Sequence, residues 1–568
     1  MKKKIITFFL IIISYLSLCS CINFDTNITT TIKSNIYRGT LSSSGNLTTY
    51  FLKNKGDVPY VDFLDVTKSL LGRDIIDEKE ENEIYYLTRS DNNSYMKIDP
   101  NLDTIYFSDY EAFVNLENND IFNPKSEYYI YTKTLNNEKL DSNDITFDLS
   151  KYDIDIFLSK DIIYIPFQIY DTLIYSQIDV SLAFNGHDYY IVDSTYFLKR
   201  DYRTSYFSGR TQSGKRSSEM ANFTYNHLMF TLDNFFGIKD TRNINSFDEL
   251  CIEEGLKKGL ISTNCEEFNS ALNNLIYSYL DDGHSSFAIS SNYLKYDANA
   301  DAKYQDDYEG VRRNELSEAQ NYLSILRQSK RGLSFIGNSY RDYYNISDNT
   351  IIITIDSFNF PTYDYYQVKP NQNNYSDDSF GILYYAFNTY IPSYEKKYNT
   401  KISNVVLDVT LNGGGYVDDC LGLLGFLSND YYVTYQNYAT KDISKTEFIV
   451  DTNLDKNFDE LDSYQDKYNF YILTSNYSFS CSNMLACICK EQNLATIIGE
   501  ETGGGGAIVY NLCLADSTSI NISGAYSLIY FDEENNIYYA ENKIKPDYEL
   551  SREFFYSPTI INSFIKTL

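Results

Sequence analysis

The chain has 568 residues, more than one ordinary domain holds, so we expect two or three domains. Hydrophobic residues make up 43% of the composition, which is enough for a packed core and excludes general disorder. The formal net charge of -30 makes nucleic acids and anionic membrane surfaces poor partners, and we predict no nucleic-acid partner.

The first 21 residues have the pattern of a targeting segment. A basic start at residues 2–4 precedes an apolar stretch at residues 5–18, which is short for a membrane span and typical of a signal-peptide core. The stretch ends in LCSC, which resembles the bacterial lipoprotein signal and implies a diacylated Cys21. Residues 1–21 are therefore predicted as a lipoprotein signal peptide. We expect the body on the outer face of the cell membrane, on the extracellular or periplasmic side; ordinary secretion and an uncleaved anchor are the alternatives.

Three stretches follow the targeting segment. Residues 22–47 are rich in Thr, Ser and Asn and are predicted as a tether off the membrane. Residues 48–197 alternate short aromatic and β-branched runs with Asn and Asp turns, which indicates an accessory α+β or β-rich region serving as a spacer or binding module. Two tripeptides in it, VPY at Val58 and IPF at Ile165, each precede a helix-like stretch and suggest a two-unit repeat. Residues 198–220 turn polar and basic and are predicted as a linker.

The cysteines and histidines do not suggest a disulfide framework or a metal site. Of the nine cysteines, seven follow Cys21, and an odd number inside mostly apolar segments is not typical of paired cysteines. Cys251 with Cys265 is the only pair that we consider. The three histidines are scattered and none has zinc-site spacing, so we predict neither a metal nor another cofactor.

Helical patterns follow the predicted linker. They cover residues 221–236 and 268–280, and the second ends in LDDGHSSF, which places His284 on a glycine turn after a helix. A lone His is more often structural or solvated, and that alternative stays open. Residues 292–340 are polar and are predicted as an insertion with one helix at 315–328. A β-rich run at 350–356 and an amphipathic helix at 380–390 come next.

A glycine-rich turn follows the next predicted strand. Residues 405–409 form a buried apolar run, residues 413–415 are three glycines, and a helix begins at 421–426. Glycines permit a positive φ and let the backbone approach a ligand closely, although a plain strand-to-helix turn would also use them. The spacing matches neither GxGxxG nor a P-loop, so nucleotide binding is not favoured.

The most informative stretch is residues 469–506. It reads as a short strand at 469–474, a polar turn, a helix from Cys481 to about residue 490, a second strand at 495–498 and a glycine run. Ser480 lies where the turn meets the helix, beside unpaired N–H groups and the positive end of the helix dipole. Acyl-transfer enzymes need such a fixed nucleophile with backbone donors next to it. The alternative is that Ser480 only caps the helix.

Five segments together resemble one protein family. In chain order they are LDDGHSSF, VVLDVTLNGGG, YILTSNYSFSCSNMLA, IIGEETGGG and ENKIKPDYEL, and each is similar to a motif of the tail-specific (C-terminal processing) serine peptidases. The resemblance covers about residues 223–550. It implies an α/β fold, with a ββα-spiral catalytic core of the crotonase and Clp-protease type in a serine peptidase domain at 221–568. It also implies hydrolysis of peptide bonds in a peptide or protein substrate by a nucleophilic Ser, without a cofactor.

The resemblance also implies roles for single residues. Ser480 matches the nucleophile, and the N–H groups of Cys481 and of Gly413 or Gly414 match the oxyanion hole. One branch of the family uses a Lys base, but Gly505 stands at that position here. The other branch, typified by the tricorn core protease, uses a His base oriented by a Ser and a Glu. Two residues match this second branch, the base and the Glu: His284 and Glu541.

The chain departs from the family pattern at two places. Gly283 replaces the Ser that precedes the His base, so Ser285, a water or Asp282 is considered as the group that orients His284. The stretch of about sixty residues between Phe287 and Thr350 is polar and contains no carboxylate-binding loop, so we expect no complete PDZ domain. Recognition of substrate tails is therefore not implied.

Two other functions compete with peptidase activity. The first is a catalytically inactive surface lipoprotein that uses the same scaffold to bind a ligand or peptide. The second, weaker one is an acyl-CoA enzyme of the crotonase group, which would need basic residues near the glycine turns. Joint retention of Ser480, His284 and the glycine turn favours the peptidase. With a His base, we expect kcat/KM to fall below a pKa of roughly 6–7.

Overall fold

The computed structural model describes residues 28–71, 76–114, 131–178, 180–298, 308, 310–332, 343–359, 364–531 and 534–568. The predicted signal peptide and Cys21 lie outside these residues. Within them, no helix combines the length and the apolar character that a membrane span requires. The seven later cysteines are buried free thiols, Cys251 and Cys265 included.

The strands are numbered in chain order. They are β1 Ile28–Tyr37, β2 Ser43–Leu52, β3 Tyr60–Asp62, β4 Ile76–Glu81, β5 Ile84–Arg89, β6 Tyr95–Asp99, β7 Thr104–Phe107, β8 Thr132–Asp141, β9 Ile145–Asp148, β10 Phe157–Ser159, β11 Ile162–Pro166, β12 Leu182–Phe184, β13 Tyr189–Ile191, β14 Ser286–Ile289, β15 Tyr344–Ser347, β16 Thr350–Thr354, β17 Asn404–Asp408, β18 Tyr431–Asn437, β19 Ile443–Val450, β20 Asn469–Thr474, β21 Thr496–Gly499, β22 Ala507–Cys513, β23 Ser519–Phe531, β24 Ile537–Tyr539 and β25 Tyr548–Glu549.

The α-helices are numbered in the same way. They are α1 Phe63–Leu71, α2 Glu111–Val114, α3 Phe167–Tyr170, α4 Ser194–Phe197, α5 Arg200–Ser208, α6 Ser218–Phe235, α7 Phe247–Glu253, α8 Lys257–Leu260, α9 Cys265–Asn274, α10 Val311–Arg331, α11 Ser379–Tyr385, α12 Ile391–Tyr398, α13 Val417–Leu424, α14 Cys481–Glu491 and α15 Pro558–Ile565. Short 3-10 or π turns lie at Leu149–Tyr152, Asp171–Tyr175, Ser176–Ile178, Asp240–Arg242, Leu275–Leu280, Ala386–Tyr390, Ala540–Asn542 and Arg552–Phe554.

A mostly parallel sheet forms the centre of the C-terminal region. Its order is β15-β16-β17-β20-β21-β25, and every pairing from β16 to β25 is parallel. All residues of β16 and β17 are buried, as expected when helices cover both faces of a parallel sheet. The register pairs Asp408 with Leu473, so the turns after β17 and β20 leave the same edge. The α/β fold predicted from the sequence is confirmed.

A second sheet brings the His-bearing segment to this edge. Its long strand β23 pairs with β14, β18, β22 and β24, and the sheet continues through β19 to β8. Strand β14 begins two residues after His284, and its Ser286 pairs with Asn521 of β23. Strand β8 comes from the region predicted as accessory, so that region contributes directly to a sheet of the C-terminal part.

The N-terminal region contains two more sheets. One has the order β10-β11-β3-β2-β1-β13-β12, and the other has the order β4-β5-β6-β7-β9. The first of the two tripeptides predicted to mark a repeat leads into β3, and the second lies at the end of β11. These two strands pair antiparallel with Val61 opposite Ile165. Each of these strands leads directly into a helix, α1 or α3.

The structure departs from two boundaries that composition predicted. From Ile28 the predicted tether forms β1 and β2, which pair along their length and bury Ile36 and Leu47. Its Thr and Ile residues are β-branched and suit strands once a partner is present. The predicted linker contains α5, whose Tyr202 and Tyr206 are buried, and the Tyr206 hydroxyl donates to Ser517 O at 2.9 Å. Buried aliphatic side chains thus bind the first stretch to the body of the protein, and buried aromatic side chains bind the second.

Two predicted helices are longer than their apolar patterns. The helix predicted at 315–328 is α10, which spans Val311–Arg331. The helix predicted to begin at residue 421 is α13, which begins at Val417. In both cases two of the first four residues are charged, and these carry no hydrophobic periodicity.

Candidate active site

Ser480 lies on a tight turn at the start of α14. Two hydroxyls hold this turn against the backbone that follows β17: Ser475 Oγ donates to Thr410 O at 2.6 Å. Similarly, Ser478 Oγ donates to Val409 O at 2.8 Å. Ser480 itself has φ 55° and ψ -121°, a conformation that costs a non-glycine residue energy and is often found at functional sites. Its side chain makes no capping bond to the helix, so the simple capping alternative is wrong.

The two glycine segments enclose Ser480. The Ser480 N–H donates to Gly504 O at 2.9 Å, and Gly504 has φ 82°. On the other side, a Cβ placed on Gly414 would lie 2.6 Å from Ser480 Cβ and 3.1 Å from its Oγ. Gly414 also has φ 109°, so two independent constraints require glycine there. The backbone of the first glycine turn therefore lies directly against the hydroxyl.

The predicted oxyanion donors differ in their present partners. The Gly414 N–H donates to Asn412 Oδ1 at 2.8 Å. The N–H groups of Gly413 and Cys481 make no hydrogen bond with any residue that the structure describes. Cys481 is the first residue of α14, where backbone N–H groups lack helical acceptors. The backbone N–H groups of Gly413 and Cys481 are thus available to an acceptor on a substrate. The N–H of Gly414 is already bonded, and this residue packs closely against Ser480.

His284 lies on the turn between the π turn Leu275–Leu280 and strand β14. Its Nδ1 lies 3.3 Å from Ser523 Oγ, on the neighbouring strand β23. The Ser523 hydroxyl also interacts with the carboxylate of Asp282 and lowers its pKa. The Asp282 carboxylate accepts from the His284 N–H at 3.1 Å. Asp282 and Ser523 are both fully buried. A chain of contacts therefore runs from Asp282 through Ser523 to His284.

Hydrogen-bond chemistry fixes the direction of this chain. A carboxylate only accepts, so the single proton of Ser523 goes to Asp282, and the Ser523 oxygen can accept from Nδ1–H of His284. That tautomer leaves Nε2 unprotonated. Nε2 of His284 is buried and has no hydrogen-bond partner among the described residues. The arrangement supplies a neutral imidazole whose free nitrogen can take up a proton.

The surroundings of His284 and Asp282 favour a neutral imidazole and an ionised carboxylate. Burial disfavours the imidazolium and lowers the pKa of His284 to about 4; Asp282 opposes this shift. Two cations of helix α10, Arg312 and Arg313, add to the lowering. Burial raises the pKa of Asp282, but His284 and the hydrogen bonds from Ser285 and Ser523 outweigh it, so the net pKa lies below the ordinary value. At neutral pH the pair is a neutral His and an ionised Asp.

His284 approaches Ser480 through the intervening Phe479. The rings of His284 and Phe479 have centroids 4.7 Å apart. Glycines on both sides leave space for this ring, since a Cβ on Gly283 or on Gly505 would lie within 2.7 Å of it. No hydrogen bond among the described contacts joins His284 to Ser480. The structure therefore places the candidate base His284 beside Phe479, the residue before the candidate nucleophile Ser480, without a direct hydrogen bond between the two candidates.

Glu541 has partners other than His284. Its carboxylate forms an ion pair with Arg312 of α10 and accepts from the Gly506 N–H at 2.8 Å. Burial raises the pKa of Glu541, with Arg312 opposing that shift. Arg312 also donates to Gly503 O at 3.3 Å. In this structure Glu541 holds the second glycine segment, and Asp282, which the sequence offered as one of three alternatives, approaches His284 instead.

Sequence reasoning missed three residues of this site. Ser523 lies in a β-rich stretch without a local motif, and only the pairing of β14 with β23 brings it to His284. Arg312 opens α10 inside the stretch predicted as an insertion, where Asp281 accepts from its N–H at 2.9 Å. Phe479 directly precedes Ser480, and the sequence pattern indicated only that it belongs to a turn. In the described ranges, no group of His, Cys, Asp and Glu side chains could hold a metal ion.

Comparisons with known proteins extend this description. Residues 385–550 match the model of peptidase family S41. No curated protein matches the chain. The matched segment contains the first glycine turn, Ser480 and Glu541.

Solved structures that resemble the chain include peptidases. A candidate peptidase from Parabacteroides merdae ATCC 43184 is 17% identical with a TM-score of 0.37, covering 61% of this chain and 96% of that one. The photosystem II D1 C-terminal processing protease is 18% identical with a TM-score of 0.26, covering 39% of this chain and 46% of that one, less than half its length. A lipoprotein from Streptococcus agalactiae is 15% identical with a TM-score of 0.26, covering 45% and 96%.

The family match agrees with the motifs that the sequence carries in the same order. Its residues 385–550 include the helix α14 that begins at the candidate nucleophile and the strands that position it. Over this segment the chain matches peptidase family S41, and its motifs resemble those of the tail-specific peptidases.

Proposed function

We propose that the chain is a serine peptidase that hydrolyses internal peptide bonds, with Ser480 as nucleophile and His284 as base. The observation that carries this proposal is the conformation of Ser480. A seryl residue held at φ 55° at a helix start, with its hydroxyl beside a glycine backbone and unused for capping, suits a nucleophile. A structural serine at this position would be expected to cap the helix instead.

The proposed reaction is acyl transfer in two steps. The Oγ of Ser480 attacks the carbonyl carbon of the scissile bond while Nε2 of His284 takes its proton. The imidazolium then gives that proton to the leaving amine, and water hydrolyses the acyl-enzyme by the same route. The Ser480–His284 bond is not formed in the free chain, and such bonds are often long in free enzymes and tighten with substrate.

The proposed oxyanion hole consists of backbone donors. The N–H groups of Cys481 and Gly413 have no described acceptor and would receive the negative charge of the tetrahedral intermediate. Each such donor typically contributes about 10²–10³ in rate. Gly414, also predicted as a donor, would shape the hole by packing against Ser480.

We expect loss of Ser523 or of the Asp282 charge to lower activity, because these residues hold the proton on Nδ1 of His284. Ser523→Ala should lower kcat by about 10–10² and Asp282→Asn by about 10²–10⁴, with KM little changed. The measurement is steady-state hydrolysis of a peptide. Ser523→Thr, which keeps the hydroxyl, should restore most of the rate.

The matched control for this prediction is Glu541→Gln, which alters the carboxylate bonded to Gly506 and Arg312. A loss of kcat that is larger for Glu541→Gln than for Asp282→Asn, at equal thermal stability, would return the orienting role to Glu541. An unchanged kcat in Ser523→Ala would remove Ser523 from the proposal.

A fluorophosphonate probe tests the proposal directly. It should label the intact protein, and mass spectrometry of the labelled peptide should place the probe on Ser480. A chain that binds the probe nowhere and hydrolyses no peptide would instead be a binding protein on the same scaffold. Labelling at another serine would show that a different residue is the nucleophile.

We also propose an extracytoplasmic location through a lipid anchor on Cys21. The support is the basic start, the short apolar core and the LCSC end of residues 1–21. In a bacterial host, Cys21→Ala should abolish incorporation of radiolabelled palmitate and move the protein from the membrane fraction to the soluble fraction. Because Cys19 lies nearby, Cys19→Ala is the matched control and should leave labelling unchanged. Undiminished labelling of Cys21→Ala would contradict the proposal.

A further inference from the structure

A cavity of about 430 Å³ opens beside Ser480. Most of its wall is apolar, with Met484 and Leu528 buried in it and Tyr435 alongside. Cys481, the residue after the candidate nucleophile, also lines it. A substrate whose carbonyl carbon lies at Ser480 would therefore have a cavity next to the reacting bond that can hold one large side chain.

Of the described residues that line this cavity, Asp418 is the one with a charged side chain. Asp418 is exposed to solvent and makes no hydrogen bond or ion pair with the described residues. Its neighbour Asp419 behaves differently, since it is buried and accepts from the Ser379 hydroxyl at 2.8 Å. The carboxylate of Asp419 is therefore hydrogen-bonded within the fold, whereas that of Asp418 has no hydrogen-bond partner among the described residues.

The carboxylate of Asp418 lies close to the catalytic side of the cavity. Burial raises the pKa of the Cys481 thiol to about 12, and Asp419 and Asp418 both add to this shift. Although solvent reaches Asp418, the surrounding protein desolvates it and raises its own pKa. A cation brought next to it would offset that desolvation.

A structural explanation for Asp418 accounts for only part of this arrangement. Asp418 stands in the first turn of α13, where acidic side chains interact favourably with the helix dipole. That interaction explains an acid at this position, but it does not require the carboxylate to face a cavity shared with Ser480. Among the residues that the structure describes, no Lys or Arg lines the cavity to neutralise it.

We propose that this cavity binds the substrate side chain on the N-terminal side of the cleaved bond, and that Asp418 selects Lys or Arg there. The aliphatic stem of a basic side chain would pack on Met484 and Leu528, while its charged end pairs with Asp418. A Glu or Asp at that position would meet a like charge in partly desolvated surroundings. This inference rests on the proposed peptidase function and assigns its substrate class.

The test uses the full chain after its signal peptide and four quenched fluorescent peptides that differ only in that one residue: Arg, Lys, Leu or Glu. Mass spectrometry confirms that cleavage follows the varied residue. We expect kcat/KM to be at least tenfold higher for Arg and Lys than for Glu. In Asp418→Asn the ratio of Arg to Leu cleavage should fall at least tenfold, and in Asp418→Lys the Glu peptide should be preferred over Arg.

The matched control is Asp430→Asn, which removes an exposed carboxylate outside the cavity and should leave the four-peptide profile unchanged. Fluorophosphonate labelling of each variant reports on Ser480 separately. Labelling and hydrolysis without a basic preference, or an equal profile in Asp418→Asn, would overturn the inference and leave the peptidase proposal standing. Absence of labelling and of all hydrolysis would overturn the proposed function itself.

Discussion

Ser480→Ala is expected to abolish peptide hydrolysis and fluorophosphonate labelling, a loss of about 10⁴–10⁶ in kcat, because we propose that Ser480 forms the acyl-enzyme. The fold should be unaffected, because the Ser480 side chain caps nothing and its backbone N–H bond to Gly504 O remains. Circular dichroism and thermal unfolding of the variant would check this.

Two neighbours provide controls for the position of the nucleophile. Cys481→Ala should retain activity, because burial raises the pKa of its thiol to about 12 and it carries almost no thiolate at neutral pH. Ser482→Ala should also retain activity, since Ser482 is fully buried. Activity that survived in Ser480→Ala but vanished in one of these variants would place the nucleophile one or two residues further along.

His284→Ala should be nearly as damaging as Ser480→Ala, and the double variant should lose little more. In the proposed mechanism the two residues act as one unit in proton transfer, so their losses should not add. Double-mutant kinetics would measure this directly. Strict additivity, or a rate in His284→Ala within tenfold of wild type, would show that another group is the base.

The pH dependence differs from the profile expected for an ordinary His. Only neutral imidazole accepts the proton of Ser480, and burial lowers the pKa of His284 to about 4. The neutral form therefore persists to lower pH, and kcat/KM should be flat at neutral pH and fall only as pH drops toward about 4. The expected midpoint of the pH profile is therefore near 4 and not at the pKa of roughly 6–7 expected for an unperturbed His.

The lowered pKa of His284 also makes the stability of the fold depend on pH, so stability must be measured as a control. A His whose pKa is lower in the folded state binds fewer protons when folded, so stability falls as pH drops below the unfolded value of about 6.5. Circular dichroism at each pH separates acid unfolding from titration of the base. An inflection only above a pH of about 8 would instead indicate a Lys base.

Local sequence patterns predicted the strand, turn and helix around Ser480 well and the partners of His284 and Glu541 poorly. The strand, turn and helix around Ser480 are each encoded within a few residues, so β20 was predicted with its bounds, Asn469–Thr474. The partner of Glu541 depends on where α10 docks, more than two hundred residues away in the chain. The partner of His284 depends on the register between β14 and β23. Neither long-range pairing leaves a periodic signal in the sequence.

The prediction of a tether before residue 48 differed from the structure for a related reason. Thr, Ser and Asn are common in tethers and in exposed strands, and composition does not separate the two. The choice is made by the neighbouring strand, as in β1, which pairs with β2 on one side and with β13 on the other. The chain from residue 28 therefore forms strands of a sheet, and local composition could not predict this pairing.

Strand β8 has a consequence for any attempt to isolate the catalytic part. It pairs with β19 from Val450 to Ile443, so a fragment starting after residue 198 would expose one backbone edge of β19. An unpaired edge of that length readily recruits strands from other chains. We expect such a fragment to aggregate on expression, and co-expression of residues 28–197 as a separate chain to restore solubility by supplying the missing strand.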